Sequence, residues 1–256
     1  MPTFQSMPRR FKAAAIHLTF SAVVGAATAA LVFGVWYPPP FGAMTGGIGI
    51  FLLLVSVDVV LGPVLTLVVA SPGKSRRELT RDLSVIVFVQ LVAFTYGAYS
   101  VAIARPVLLV FEVDRFRVIH GVDIEPASLA EAPEGLGSLS WTGPRTIAAV
   151  KPTDPREQLR SIDLASAGFD LSFVPKYWRP YESQAANAWR KARPLPALVE
   201  RYPQQQAAAE RVAREAGTSV GDLRFLPVVS RGATETAVLR APDARIVGFL
   251  PVDGFL

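Results

Sequence analysis

The sequence contains no cysteine and only two histidines in 256 residues. The first absence excludes disulfides, thiolate metal centres and cysteine nucleophiles, so any exported domain must rely on its core. The second leaves His120 as the only histidine beyond residue 105. No serine there sits in a nucleophile elbow, and the acidic residues are scattered without a local pair in an apolar setting. Neither a triad nor a metal site follows from such a set, so no enzyme activity, metal or cofactor is expected. Charge is scarce as well. Asp, Glu, Lys and Arg make up 18% of the chain against 51% apolar residues, and the stretches 13–37, 48–70 and 83–104 are almost free of charge. Each is long enough to cross a hydrocarbon core, which takes about 20 helical residues.

The net charge of +5 is concentrated in one part of the chain. From Pro106 onward there are 18 Lys and Arg against 18 Asp and Glu, so the excess lies in the membrane half. Arg9, Arg10 and Lys12 precede the first span, and Lys74, Arg76, Arg77 and Arg81 precede the third. No segment joins clustered cations to stacking aromatics, so no nucleic-acid partner is expected. Cationic flanks stay cytoplasmic. The N-terminus and the 71–82 turn are therefore predicted inside and the uncharged 38–47 loop outside. The third span then leaves residues 106–256 beyond the cytoplasm. The domain division expected is a transmembrane domain over 1–105, embedded in the lipid bilayer, and an exported domain over 106–256.

Residues 1–12 form a short basic tail. After it, Ala27-Thr28-Ala29 has the small-x-small look of a cleavage site, but the apolar run continues to Trp36-Tyr37, an aromatic pair suited to the membrane interface. That favours an uncleaved span. His17, Ser21, Gly25 and Ala29 recur every four residues on one face, and small residues at this spacing let another helix approach closely. The face serves either the neighbouring spans or a partner's helix. Pro38-Pro-Pro40 and the glycine-rich 41–49 segment form a tight outer loop.

Asp58 is the anomaly of the second span. A carboxylate near mid-membrane costs about 2.5–3.5 kcal/mol and should face the bundle interior. Counting along the helices puts Thr28 and Thr95 at its depth, as expected hydrogen-bond partners. Gly62 and Thr66 share its face, and Pro63 removes a donor and frees the Val59 carbonyl. A proton or ion relay would need more titratable groups in line than His17 and the tyrosines, so a structural or helix-recognising role is preferred. Gly73-Lys74-Ser75 has the ending of a phosphate-binding loop, but that pattern needs glycine where Val68 stands and a preceding strand. Ser75 and Glu78 instead spell a capping box for the third helix. In that helix Gln90, Ala93, Gly97 and Ala104 form a second packing stripe.

Beyond the spans, Val107–Ile119 is β-rich and interrupted by Asp114-Arg115, which predicts a strand pair or one bent strand. Residues 125–138 read as a loop and 141–150 as a strand after the Gly143-Pro144 turn. Asp154-Pro155 with Glu157 should open a helix running to about Ala167 and stopping at Gly168. The aromatic segment Tyr177–Tyr181, which includes Trp178, serves as a core plug or a partner-binding patch. Helices are predicted at 182–192, 195–201 and 204–216, and strands at 223–230, 234–240 and 245–252. The fold class expected is a membrane protein with three N-terminal transmembrane helices followed by a C-terminal α+β domain with an antiparallel sheet.

Several spellings point to one family. They are Trp36-Tyr-Pro38, Asp58-Val-Val-Leu-Gly-Pro-Val-Leu-Thr66, Pro72-Gly-Lys-Ser-Arg-Arg-Glu-Leu79 with Arg81-Asp82, Arg105-Pro106 with Val113-Asp-Arg-Phe116, and Gly248-Phe-Leu-Pro-Val252. With these the chain resembles the TfpX/TfpZ type IV pilin accessory proteins, most strongly over 36–120 and only broadly over 125–222. The resemblance implies an accessory protein of the bacterial inner membrane with a periplasmic domain, acting in type IV pilus biogenesis as a chaperone that stabilises a cognate pilin before assembly. It supplies no catalytic or binding residues. The partner implied is a type IV pilin subunit, met by both its transmembrane helix and its globular head. The candidate contact residues are His17, Ser21, Gly25, Ala29, Asp58, Gln90, Gly97 and Trp178. His17 would lie near the acidic residue that type IV pilins carry at the start of their helix. The rival reading is a membrane-anchored sensor or transporter subunit using Asp58 as an intramembrane relay.

Overall fold

The computed structural model describes residues 8–70, 73–166, 168 and 170–255. Expectations that fall on residues 1–7, Ser71-Pro72 and Ala167 lie outside these. The chain divides into two units: one comprises the chain up to Pro38 and Gly47–Ile103, the other Pro39–Gly46 and Ala104–Leu256.

The first unit is built from three helices long and apolar enough to cross a membrane. They are α1 (Arg9–Leu31, continued by a π-helical turn Val32–Trp36), α2 (Gly47–Val69) and α3 (Arg76–Ile103). The capping box that opens α3 is present: Ser75 N–H donates to Glu78 Oε2 at 2.9 Å and Glu78 N–H to Ser75 Oγ at 3.3 Å. Helices α1 and α3 pack chiefly on α2. Their other faces expose large apolar side chains such as Val23, Val85, Phe88 and Val92, as lipid-facing surfaces do. At one end Val32, Tyr37, Phe51, Leu54 and Val101 form a buried cluster, and the Tyr37 hydroxyl donates to Val101 O at 3.0 Å.

Helix α2 is not regular throughout. Val57–Leu61 forms a π turn in which Gly62 N–H reaches back to Val57 O. Pro63 follows directly and has no N–H to give the Val59 carbonyl. The wide turn sits immediately before that proline and carries Asp58.

The second unit is α+β, but its sheet is mixed rather than antiparallel. Strands β1 (Pro106–Glu112) and β2 (Arg115–His120) form an antiparallel hairpin. Strand β3 (Arg145–Ala149) runs parallel to β1, and β4 (Trp178–Pro180) pairs antiparallel with β3. After the helices come β6 (Leu223–Val229), parallel to β2, then β7 (Glu235–Arg240) and β8 (Arg245–Leu250) in an antiparallel meander. The order is β4-β3-β1-β2-β6-β7-β8, with the two-residue β5 (Arg193–Pro194) paired to β6. The two parallel joints have a common cause. Each links strands separated by a long connection, which reverses the direction that a hairpin would impose.

Strand β1 is buried at every position, as a strand covered on both faces must be. Leu109, Phe111, Phe116 and Val118 pack on one side with Ala185 and Ala188 of α5 (Ala185–Lys191). Leu108, Val110, Ile119 and Ile147 pack on the other with Trp178 and Leu136. A third cluster joins α6 (Leu195–Arg201) and α7 (Gln206–Glu215) to Leu223, Phe225, Val238 and Leu250. The intervening α4 (Pro155–Ser166) starts where Asp154 Oδ1 accepts from the N–H groups of Arg156 and Glu157, at 2.9 and 3.0 Å. Phe41 and Met44, from the short loop between α1 and α2, enter the first of these cores. Three donors converge on Met44 O: Ser230 Oγ at 2.8 Å, Gly232 N–H at 3.2 Å and Ala233 N–H at 3.1 Å. That loop is a plug held by a clamp.

Candidate functional site

Because α1 and α3 lean on α2 more than on each other, an open groove is left between them. Its volume is about 560 Å³. One wall is a single face of α1, with Ala13, Ile16, Phe20 and Val24, and the other a single face of α3, with Leu83, Val87, Leu91 and Phe94. The spacing of three, four and seven residues on both walls is the repeat of one helical stripe. Each wall runs over eleven residue steps, roughly 16 Å or three turns.

The floor is polar. His17 Nδ1 and Thr66 Oγ1 lie 2.6 Å apart, and Gln90 Nε2 donates to Asp58 Oδ1 at 3.4 Å. Ser21, only 6% exposed, lines the same groove. Gly62 permits this gathering: a Cβ there would overlap the Gln90 amide nitrogen and lie 3.0 Å from His17 Nε2. With Gln90 Nε2 turned to the carboxylate, Gln90 Oε1 is buried and has no hydrogen-bond partner among the described residues.

The structure thus brings together four of the eight candidate residues, His17, Ser21, Asp58 and Gln90, and adds Thr66. The other four lie elsewhere. Gly25 lies against Val55, whose Cγ1 would be 3.3 Å from an added Cβ, and Ala29 packs at the edge of the cluster around Tyr37. Gly97 is covered by Leu54. Trp178 is a correction: it is 0% exposed and its Nε1–H donates to Ser172 O at 2.9 Å, so it is a core side chain with no surface to offer a partner. Ala93 is exposed, so the stripe on α3 does not act as one surface.

The partners expected for Asp58 are also corrected. Thr28 Oγ1 donates to Val24 O at 2.8 Å and Thr95 Oγ1 to Leu91 O at 2.7 Å, each closing on its own helix. Counting at 1.5 Å per residue assumes regular helices, and the π turn at Asp58 breaks that register. Gln90 was visible in the sequence as a polar residue in an apolar span. The apolar groove walls carried no signal, because most positions all round these helices are apolar.

In the second unit a smaller polar cluster sits where β2 ends. His120 Nδ1 is 3.2 Å from Asp123 Oδ2, and Asp123 also pairs with Arg231, next to the Met44 clamp. Burial alone would raise the Asp123 carboxyl, but hydrogen bonds from the His120 ring and backbone N–H, with the nearby charges, hold it below the usual carboxylate range. Glu112, almost fully buried, is satisfied by Arg117 at 2.9 Å, Arg115 at 3.4 Å and Ser172 N–H at 3.2 Å. Among the described residues no three His, Asp or Glu side chains converge as a metal site would require.

Comparison with known proteins gives this architecture its context. The model of the family described as fimbrial assembly protein FimB matches residues 5–46. Two fimbrial assembly proteins of Dichelobacter nodosus, of serogroups I and E1, are each 32% identical over 245 residues, covering 95% of this chain and 95% of their own length. The fimbrial assembly protein of serogroups C1 and C2 is 41% identical over 121 residues, 47% of this chain and 92% of that protein. No solved structure matches. With relatives similar from end to end, the chain belongs to the fimbrial assembly protein family.

Proposed function

We propose that this protein is an accessory factor of type IV pilus biogenesis in the bacterial inner membrane, and that it acts by binding rather than by catalysis. It holds a fimbrial subunit before assembly, the subunit's membrane-spanning helix against the three-helix unit and its globular head against the exported α+β unit. The observation that carries this reading is the groove between α1 and α3, an apolar-walled trough about three helical turns long with a polar floor, in a relative of fimbrial assembly proteins. A three-helix bundle that served only as an anchor would have no need of a polar floor, since each intramembrane polar group adds to the cost of insertion. The two-unit division matches a partner that itself has a membrane helix and an exported head.

The test is fimbrial-subunit abundance and co-purification. A strain lacking this protein is expected to lose unassembled subunit and surface fimbriae, and tagged protein should bring the subunit down from detergent extracts. Normal subunit levels together with failed co-purification would sink the reading.

A further inference from the structure

The groove's floor has a surplus of hydrogen-bond acceptors. Gln90 gives its Nε2 to Asp58, which leaves Gln90 Oε1 buried and without a partner among the described residues, and the Asp58 carboxylate can accept more than this one bond of 3.4 Å. With Asp58 ionised, turning the Gln90 amide over would set an oxygen against the carboxylate. His17 Nδ1 and Thr66 Oγ1 lie 2.6 Å apart, and among the described residues neither side chain is hydrogen-bonded to Gln90 Oε1. A buried polar atom without a partner is costly, and it persists most readily where a ligand completes it.

We propose that the groove between α1 and α3 receives a single transmembrane helix that presents an amide or ammonium donor to Gln90 Oε1 and the Asp58 carboxylate. The proposal rests on the reading that the partner includes a membrane-spanning helix, and it names the chemistry that the partner must bring. Shape supports a helix, since both walls are single helical faces about three turns long. Charge complementarity selects the donor. A lipid acyl chain would satisfy the walls but bring nothing to the floor, and an acidic side chain at this depth would oppose Asp58. A hydroxyl is the weaker donor here, because in a helix it can close on its own backbone, as Thr19, Thr28 and Thr95 do, although Thr66 reaches His17 instead. Asp58 lies midway along Gly47–Val69, so the donor belongs near the centre of the incoming helix.

The experiment uses the full-length protein in phosphatidylcholine vesicles with two fluorescent synthetic Leu/Ala helices, one carrying Asn and the other Leu at its centre. The Asn helix is expected to bind about 3- to 20-fold more tightly, the range of single intramembrane hydrogen bonds. Gln90→Leu and the length-preserving Gln90→Met each remove one acceptor and should weaken that preference, and the double variant Asp58→Leu/Gln90→Leu should reduce it to below about 2-fold, whereas Val92→Ala on the outer face should retain it. Equal binding of the two helices, an undiminished preference in the double variant, or a co-purified lipid that blocks both helices overturns the proposal. Capture of the fimbrial subunit is measured on the same preparations. Capture without donor preference overturns the donor assignment and leaves the proposed function standing; donor preference without capture overturns the proposed function alone.

Discussion

Replacing Asp58 distinguishes a residue kept for recognition from one kept for stability, because the two readouts are expected to move in opposite directions. Asp58→Leu removes a carboxylate whose place near mid-span costs about 2.5–3.5 kcal/mol. What is lost is one long hydrogen bond, 3.4 Å from Gln90 Nε2. Such bonds in membranes average about 0.6 kcal/mol with a ceiling near 1.7. The larger leucine enters a groove of about 560 Å³, so overpacking does not consume the gain. The bundle should therefore become more stable by roughly 1–3 kcal/mol, while capture of the fimbrial subunit falls. Asp58→Asn keeps a polar group beside Gln90 and should affect capture far less. Unfolding of the full-length protein in mixed micelles, run beside subunit co-purification, reads both quantities. A bundle destabilised by Asp58→Leu would make the residue structural. Loss of capture as deep with Asn as with Leu would show that ionisation matters and would restore the relay reading.

Other perturbations address the remaining parts of the molecule. Gly232→Ala places a Cβ 2.8 Å from both Met44 O and Gly46 N. These are backbone atoms that cannot rotate away, so the clamp must open. Losing its three hydrogen bonds should cost about 2–4 kcal/mol in thermal unfolding, against about 1 for Ser230→Ala; equal effects would contradict the clamp. Trp178→Ala empties the core beneath β1 and should cost about 3–5 kcal/mol by denaturant titration. Burial raises the Glu235 carboxyl above the usual range. Its contribution is therefore fully present below the unfolded value of about 4.3 and is lost as pH rises through the raised folded value. Glu235→Gln should be close to neutral in acid and become progressively more stable than the parent as pH rises through that window, as pH-dependent urea melts would show.

What the sequence disclosed and what it hid divide along one physical line. Features written in adjacent residues were legible: the three apolar spans, the Ser75/Glu78 capping box, the Asp154 cap of α4, and the antiparallel strands 223–229, 235–240 and 245–250. Features set by distant pairing were not. The parallel joints β1–β3 and β2–β6 depend on how long connections return, and nothing within either strand encodes that choice. Phe41 and Met44 sit in a segment that reads as a turn, yet a clamp nearly 190 residues later makes them core. At the candidate site the anomalous polar residues Asp58, His17 and Gln90 could be seen singly. Their grouping could not, because the π turn at Val57–Leu61 shifts the register that a regular helix would impose.

The absence of cysteine makes the decisive measurement clean, since one introduced thiol is the only one in the chain. Leu91→Cys places it on the groove wall and Val92→Cys on the outer face of the same helix. With a thiol-directed photo-cross-linker in cells, the groove position should trap the fimbrial subunit and the outer position should not. Equal trapping from both positions, or trapping from Val92→Cys alone, would contradict the assignment of the groove as the subunit's seat.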